Sequence, residues 1–254
     1  MSKPGSVIVT GGASGIGFAV VEDLLKEGWR VVAADLAPGA IARAREAFAD
    51  YGDQVRCMEV DISEETAVAD LVATTDEACG PLWGVVNCAG IARDVPALET
   101  SAEMFRKILD VNLVGTFLMA REAAKIMKGH GGGSIVNIAS VSGMRGNMGR
   151  AAYGSSKGGV LTLTKILAVE FATYGIRVNG VAPGPIETPL VKELHTMEAR
   201  EAWIRTVPLR RYAQPREVCG AISFLLDETK SSFVTGETIC VDGGFTSGGL
   251  LGNG

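Results

Sequence analysis

Seven short apolar runs recur along the chain, and most are continuous rather than alternating. Val7-Ile8-Val9 and Val31-Val32-Ala33-Ala34 are typical. A strand with one wet face carries a polar residue at every second position. An unbroken run belongs instead to a strand covered on both faces, as in parallel sheets. This reading places strands at 6–10, 30–34, 55–60, 83–87, 134–139, 177–181 and 238–241. Helical periodicity between them predicts helices at 15–27, 40–51, 64–78, 102–128, 151–174 and 216–227. The first sets Ile16, Ala19, Val20 and Leu24 on one face and stops at Lys26-Glu27-Gly28, a cation followed by a C-terminal glycine. The third opens on Ser63 as a capping residue, with Glu64 and Glu65 in its first turn. Strand–helix alternation with right-handed crossovers implies an α/β fold, a doubly wound seven-stranded parallel sheet with helices on both faces.

No linker or repeat divides the chain, so residues 1–254 read as a single domain. One stretch, 183–208, fits no βα unit and carries Pro183, Pro185 and Pro189. It reads as a substrate-binding loop or lid within that domain; the alternative is a helical excursion that only covers the sheet. Net charge is −5 with Lys and Arg scattered, which argues against a nucleic-acid partner. No apolar run approaches the roughly 20 residues of a membrane span, and the N-terminus lacks the apolar region of a signal peptide. Five widely spaced cysteines without a C-x-x-C, and only His130 and His195, argue against a disulfide framework and a metal site. A cytoplasmic protein with reduced thiols is the expectation.

The chain nevertheless holds 33 glycines, and these need local reasons. The first strand ends Thr10-Gly11-Gly12-Ala13-Ser14-Gly15-Ile16-Gly17 and turns into a helix. Such a turn lets backbone N–H groups approach a pyrophosphate at the positive end of the helix. A glycine turn alone is weak evidence. Asp35-Leu36 closes the second strand, eighteen residues past Gly17, where a carboxylate accepts hydrogen bonds from both ribose hydroxyls and repels a 2′-phosphate. No cation follows Asp35 directly, and Ser14 stands where one would meet that phosphate. NAD(H) is therefore the expected cofactor; the alternative makes Asp35 a solvated cap before Ala40. Asp61-Ile62 closes the third strand and Asn87-Cys88-Ala89-Gly90 the fourth, so all four strand ends face one crevice. Asp61 suits an adenine amino group, or else simply starts a helix.

Tyr153 and Lys157 lie at i and i+4, on one helix face, and Ser140 closes the fifth strand just upstream. A phenol ionises near pH 10, too high for a base at neutral pH, and an adjacent ammonium favours its phenolate. Tyr153 can then take an alcohol proton while Ser140 hydrogen-bonds the same oxygen.

Thr10-Gly11-x-x-x-Gly15-x-Gly17, Asn87-x-Ala89-Gly90, Asn112, Ser140, Tyr153-x-x-x-Lys157 and Pro183-Gly184 together resemble the short-chain dehydrogenase/reductase family, in its compact one-domain branch. Cys88 stands where that family often has a second Asn, a departure with no bearing on the chemistry. The resemblance implies a Rossmann-type fold, carbonyl–alcohol interconversion with a nicotinamide cofactor, and a homotetramer. It implies that Tyr153 is the acid/base, that Lys157 modulates it and binds the nicotinamide ribose, and that Ser140 donates to the substrate oxygen. It makes Asn112 the holder of a water in the relay to Lys157. It sets Pro183, Gly184, Ile186 and Thr188 along the nicotinamide, with Thr188 on the carboxamide; read alone, Thr188 is a helix cap.

Substrate walls are expected from 91–95, 141–150 and 190–206, with apolar Met144, Met148, Leu190, Leu194 and Trp203 and polar Arg145, Asn147, Arg150 and His195. The leading expectation is interconversion of a secondary alcohol (polyol, sugar or cyclic alcohol) and its ketone. A 3-oxoacyl-thioester reductase is the rival enzyme, and a non-catalytic NAD-binding regulatory protein the non-enzyme alternative.

Overall fold

The computed structural model describes residues 5–248. Seven strands, β1 (Ser6–Thr10), β2 (Arg30–Asp35), β3 (Val55–Glu59), β4 (Leu82–Asn87), β5 (Gly133–Ile138), β6 (Ile176–Pro183) and β7 (Thr238–Val241), form one sheet. Their order is β3-β2-β1-β4-β5-β6-β7, and every neighbouring pair is parallel. The chain thus winds outward from β1 through β2 to β3, then restarts at β4 on the other side of β1. The crevice at that reversal, outside the carboxyl ends of β1 and β4, is where doubly wound sheets bind ligands.

Helices α1 (Gly15–Lys26), α2 (Pro38–Ala47) and α3 (Glu65–Cys79) follow the first three strands. Next come α4 (Ala102–Leu109), α5 (Gly115–Met127) and α6 (Ala151–Phe171), then α7 (Pro189–Leu194), α8 (Met197–Thr206), α9 (Arg216–Leu226) and α10 (Glu228–Ser231). The unbroken apolar runs pack both ways. Val7, Val9, Val31 and Ala33 meet Val20, Leu24, Ile41 and Ile222 of α1, α2 and α9 on one face. Ile8, Val32 and Ala34 meet Leu71, Met119 and Leu167 of α3, α5 and α6 on the other. Two buried layers on one sheet follow from the unbroken apolar interiors of β1 and β2.

Three readings of the sequence change. The helix expected over 102–128 is broken: α4 and α5 are joined by a π-turn over Asp110–Val114, where the Gly115 N–H reaches back to the Asp110 carbonyl. Ser63 does not cap α3, which begins after Glu64; both its N–H and its hydroxyl donate to Asp61 instead. Asp35 does not cap α2, whose N-cap is Ala37, because Pro38 at the first helical position starts that helix earlier. The excursion 183–208 contains two short helices, α7 and α8, started by Thr188 and Thr196. Of the glycine-rich tail, 243–248 is described and 249–254 lies outside the described residues, as do 1–4. Among the described residues no helix is long and apolar enough to cross a membrane.

Candidate active site

The β1–α1 turn closes only because it lacks side chains. A Cβ on Gly17 would stand 2.2 Å from the Gly11 carbonyl oxygen, and one on Gly11, whose φ is +64°, would stand 2.9 Å from Ala89 Cα. The first turn of α1 thereby folds back on the end of β1, while that strand end presses against the loop after β4. Thr10 Oγ1 fixes the second contact, accepting the N–H groups of Cys88 and Ala89 at 3.1 Å each. Ser14 makes no capping bond to α1 and is exposed, which leaves the helix N-terminus open to an anion.

Asp35 ties this turn to β2. Its Oδ2 accepts the Ala13 N–H at 3.2 Å and its Oδ1 the Ala37 N–H at 3.2 Å. Each oxygen keeps a further lone pair, and Asp35 lines a cleft of about 470 Å³. The cleft runs from Asp35 and Leu36, past Asp61 and Ile62, to Pro183, Gly184, Ile186 and Thr188. Gly11, Ser14, Gly15, Ile16, Ala89, Gly90, Ser140, Tyr153 and Lys157 also line it. Asn87, Gly17 and Asn112 do not; Asn87 is buried behind the wall and donates to Asn137 at 2.9 Å. Thr188 caps α7, its Oγ1 accepting the Val191 N–H at 3.2 Å, and it also lines the cleft. Val60, Ile91, Lys107, Val111, Leu190 and Val191 are also in the wall. Strand-end logic reaches Val60; Lys107 and Val111 come from the broken helix and carried no motif.

A glycine-walled turn at a helix N-terminus, a carboxylate at the end of β2 and a long crevice across the switch point fit a dinucleotide. The fit rests on close approach: a Cβ on Gly90 would lie 3.1 Å from Asn112 Oδ1 and 3.6 Å from Lys157 Nζ, filling the crevice floor.

Three polar groups meet at the other end. Ser140 follows β5, and its Oγ accepts the Ser142 N–H at 3.1 Å, which sets its rotamer. The turn behind it lies on the backbone of α6, where a Cβ on Gly143 would stand 2.6 Å from the Lys157 carbonyl carbon. Ser140 and the Tyr153–Lys157 pair are thereby fixed to one another. Lys157 is buried and donates to the Ile138 carbonyl at 2.7 Å; burial pushes its ammonium down to about 8. Tyr153 lies above its ordinary value. Burial raises it, and the hydrogen bond with Ser140 and the charge of Arg150 oppose that rise. The cation expected to set this tyrosine was Lys157, whose Nζ is 6.0 Å from the ring centroid. Arg150 is closer, at 5.1 Å.

Asn112 occupies the π-turn, fully buried. Its Oδ1 accepts the Ile91 N–H at 2.8 Å, and its Nδ2 donates to the Ile91 carbonyl at 2.9 Å and to Ser156 Oγ at 3.0 Å. The side chain is thus committed to holding the β4 loop against α6. Asn112→Leu is expected to lower stability by about 2 kcal/mol, since it strands polar groups of Ile91 and Ser156. Urea unfolding checks this, and an unchanged midpoint at unchanged slope contradicts it.

Of the expected substrate walls, Leu190 and Ile91 line the cleft. Met148 is fully exposed, and Trp203 packs into a small core with Val141, Val207 and Phe245. Arg145 turns away to the carbonyls of Thr246 and Gly248, while Asn147 donates to Ser142 Oγ.

A family model described as "Enoyl-(Acyl carrier protein) reductase" matches residues 11–246. An uncharacterized short-chain type dehydrogenase/reductase of Sinorhizobium fredii is 41% identical over 96% of this chain, which spans 44% of that protein. The cis-4-hydroxycyclohexanecarboxylate dehydrogenase of Sinomonas cyclohexanicum is 39% identical, over 94% of this chain and 96% of its own length. A 3-oxoacyl-[acyl-carrier-protein] reductase of Synechocystis is 37% identical, over 93% and 95%. The crystal structure of levodione reductase superposes with a TM-score of 0.91 at 33% identity, covering 97% of this chain and 99% of that one.

Proposed function

The chain belongs to the short-chain dehydrogenase/reductase family, and we propose that within it the protein is an NAD(H)-dependent oxidoreductase interconverting a secondary alcohol and its ketone. The observation that carries the reading is the meeting of Ser140, Tyr153 and Lys157 at the end of a cleft whose far end is bounded by Asp35. When bound, the nicotinamide supplies or accepts the hydride.

The chain's own residues handle the oxygen and its proton. Ser140, its rotamer held by the Ser142 N–H, is placed to hydrogen-bond the substrate oxygen. Tyr153, which burial holds above its ordinary value, is a neutral phenol, which suits donation to a ketone oxygen; the reverse step takes the alcohol proton onto its phenolate. Lys157, protonated for the most part at neutral pH, brings positive charge beside the ring and holds the ribose side of the cleft. Both amide hydrogens of Asn112 are spent on Ile91 and Ser156, so its relay role falls to its oxygens. Its main-chain carbonyl accepts Thr116 Oγ1 at 2.8 Å.

NAD(H) over NADP(H) is supported by the carboxylate of Asp35, with Leu36 and Ala37 rather than cations beside it. A cyclic substrate is supported by the relative that acts on a hydroxycyclohexanecarboxylate and by the likeness to levodione reductase. The Synechocystis relative supports the rival thioester reductase. We read the enzyme as a cytoplasmic homotetramer, supported by apolar Ile166 and Val169 exposed on α6.

Steady-state turnover with NAD and NADP over polyols, cyclic alcohols and acetoacetyl thioesters tests the reading. The expected result is oxidation of a cyclic alcohol or polyol with NAD. Preferential thioester reduction with NADPH would favour the rival, and tight NAD binding without turnover would favour a regulatory protein.

A further inference from the structure

Beside the three groups that meet the reacting oxygen, a second polar chain reaches the ring of Tyr153. Asp94, in the loop after β4, grips Arg150 twice: Oδ1 takes Nε at 2.8 Å and Oδ2 takes Nη2 at 3.1 Å. Arg150 Nη2 also lies 2.9 Å from His195 Nε2, and His195 Nδ1 lies 2.8 Å from the hydroxyl of Tyr212. These four residues come from four separate segments. Asp94 follows β4, Arg150 precedes α6, His195 ends α7, and Tyr212 precedes α9.

The direction of each bond follows from chemistry. A guanidinium only donates, so His195 Nε2 accepts, the ring proton sits on Nδ1, and Nδ1 donates to Tyr212. His195 is therefore neutral, in keeping with burial and the charge of Arg150, which hold it below its ordinary value. The segment carrying His195 and Tyr212 is itself stiffened. Arg200 pairs with Glu187 and lies 4.4 Å over the Tyr212 ring, and Trp203 stacks near His195 and against Phe245.

An exposed Arg–Asp pair would leave the arginine free to move. Here the side chain is 11% exposed and held from two sides, so its guanidinium has one place to be: over the Tyr153 ring. Resting on the reading of Tyr153 as the acid/base, we propose that Arg150 is a positioning residue for proton transfer: Asp94 anchors it, His195 on the excursion between β6 and α9 receives its N–H, and Tyr153 lies under its charge. The segment that walls the substrate side is thereby wired to the group that moves the proton. Displacing His195 releases one of the two holds on the guanidinium, and the positive charge over the phenol becomes mobile.

The test reads Tyr153 directly. Tyr153 faces Ser140 and Arg150, with Asp94 and Cys88 nearby and Lys157 Nζ 6.0 Å from the ring centroid. Phenolate absorbance against pH, with the trace of Tyr153→Phe subtracted, isolates its ionisation and needs no substrate. Arg150→Met is expected to move that midpoint upward by about one pH unit, as loss of a cation at this range should. Arg150→Lys should restore part of the shift, and His195→Phe, which keeps the ring but not the acceptor, should shift it in the same direction by less. The pH profile of alcohol oxidation should move with the absorbance, lowering kcat at fixed pH more than it changes KM. A Tyr153 midpoint unaltered in Arg150→Met overturns the proposal, and so does one unaltered in His195→Phe. An enzyme that turns over through Tyr153 with an unmoved midpoint refutes the role of Arg150 alone; absence of any turnover with a shifted midpoint refutes the proposed function alone.

Discussion

Tyr153→Phe should cost about three orders of magnitude in turnover and almost nothing in dinucleotide affinity. The variant removes one oxygen from a buried ring and leaves the ring itself, with Arg150 and Lys157 flanking it at 5.1 and 6.0 Å. Folding loses one hydrogen bond, to Ser140, a matter of about 1 kcal/mol. Proton transfer, by contrast, loses its donor. Lys157 does not replace it, because that ammonium is drawn to the Ile138 carbonyl at 2.7 Å. Ser140 does not either, since a serine hydroxyl is a far weaker acid than a phenol and here only polarises the oxygen it touches. Steady-state rates with the best substrate of the panel, together with quenching titrations of NADH, separate the two effects. Turnover above a tenth of the parent's would remove Tyr153 from the mechanism, and a matching collapse of NADH binding would show the loss to be structural.

The reach of the sequence into this molecule has a physical boundary. Strands without polar breaks declared their own burial, so Val7-Ile8-Val9 led directly to a sheet covered on both faces, and β1 and β7 carry the expected bounds. Glycines in the β1–α1 turn were legible because close backbone approach tolerates nothing else. The π-turn at Asp110–Val114 was not legible. Apolar spacing across 102–128 continues through it, and one inserted residue leaves no mark in periodicity; only the buried bonds of Asn112 to Ile91 explain it. Spacing likewise found Tyr153 and Lys157 on one face but did not reveal Arg150 as a second cation beside the phenol. Arg150 reached that position through partners 56 and 45 residues away in the chain, Asp94 and His195, and no local pattern encodes such a meeting.

Asp35→Ala is expected to move the ratio of kcat/KM for NADP over that for NAD upward by about a hundredfold. Two terms act together. With NAD the carboxylate offers charged hydrogen bonds to ribose hydroxyls, each about 1.5–3 kcal/mol. With NADP the same carboxylate opposes a phosphate, at a cost of about 3 kcal/mol for unit charges near 5 Å in a partly solvated site. Losing part of each gives about 3 kcal/mol of discrimination, and about 1.4 kcal/mol is a factor of ten. Asp35 has a second duty, however. It accepts the N–H groups of Ala13 and Ala37, so an alanine loosens the glycine turn and weakens either dinucleotide. Asp35→Asn separates these duties, for it keeps an acceptor for the turn while discarding the charge. If electrostatics govern the choice, Asp35→Asn and Asp35→Ala should relax the preference to a similar degree, with the asparagine variant retaining more of the overall affinity. A ratio unchanged in both would strip Asp35 of its role, and would shift attention to Lys107, which lines the cleft as Lys157 does.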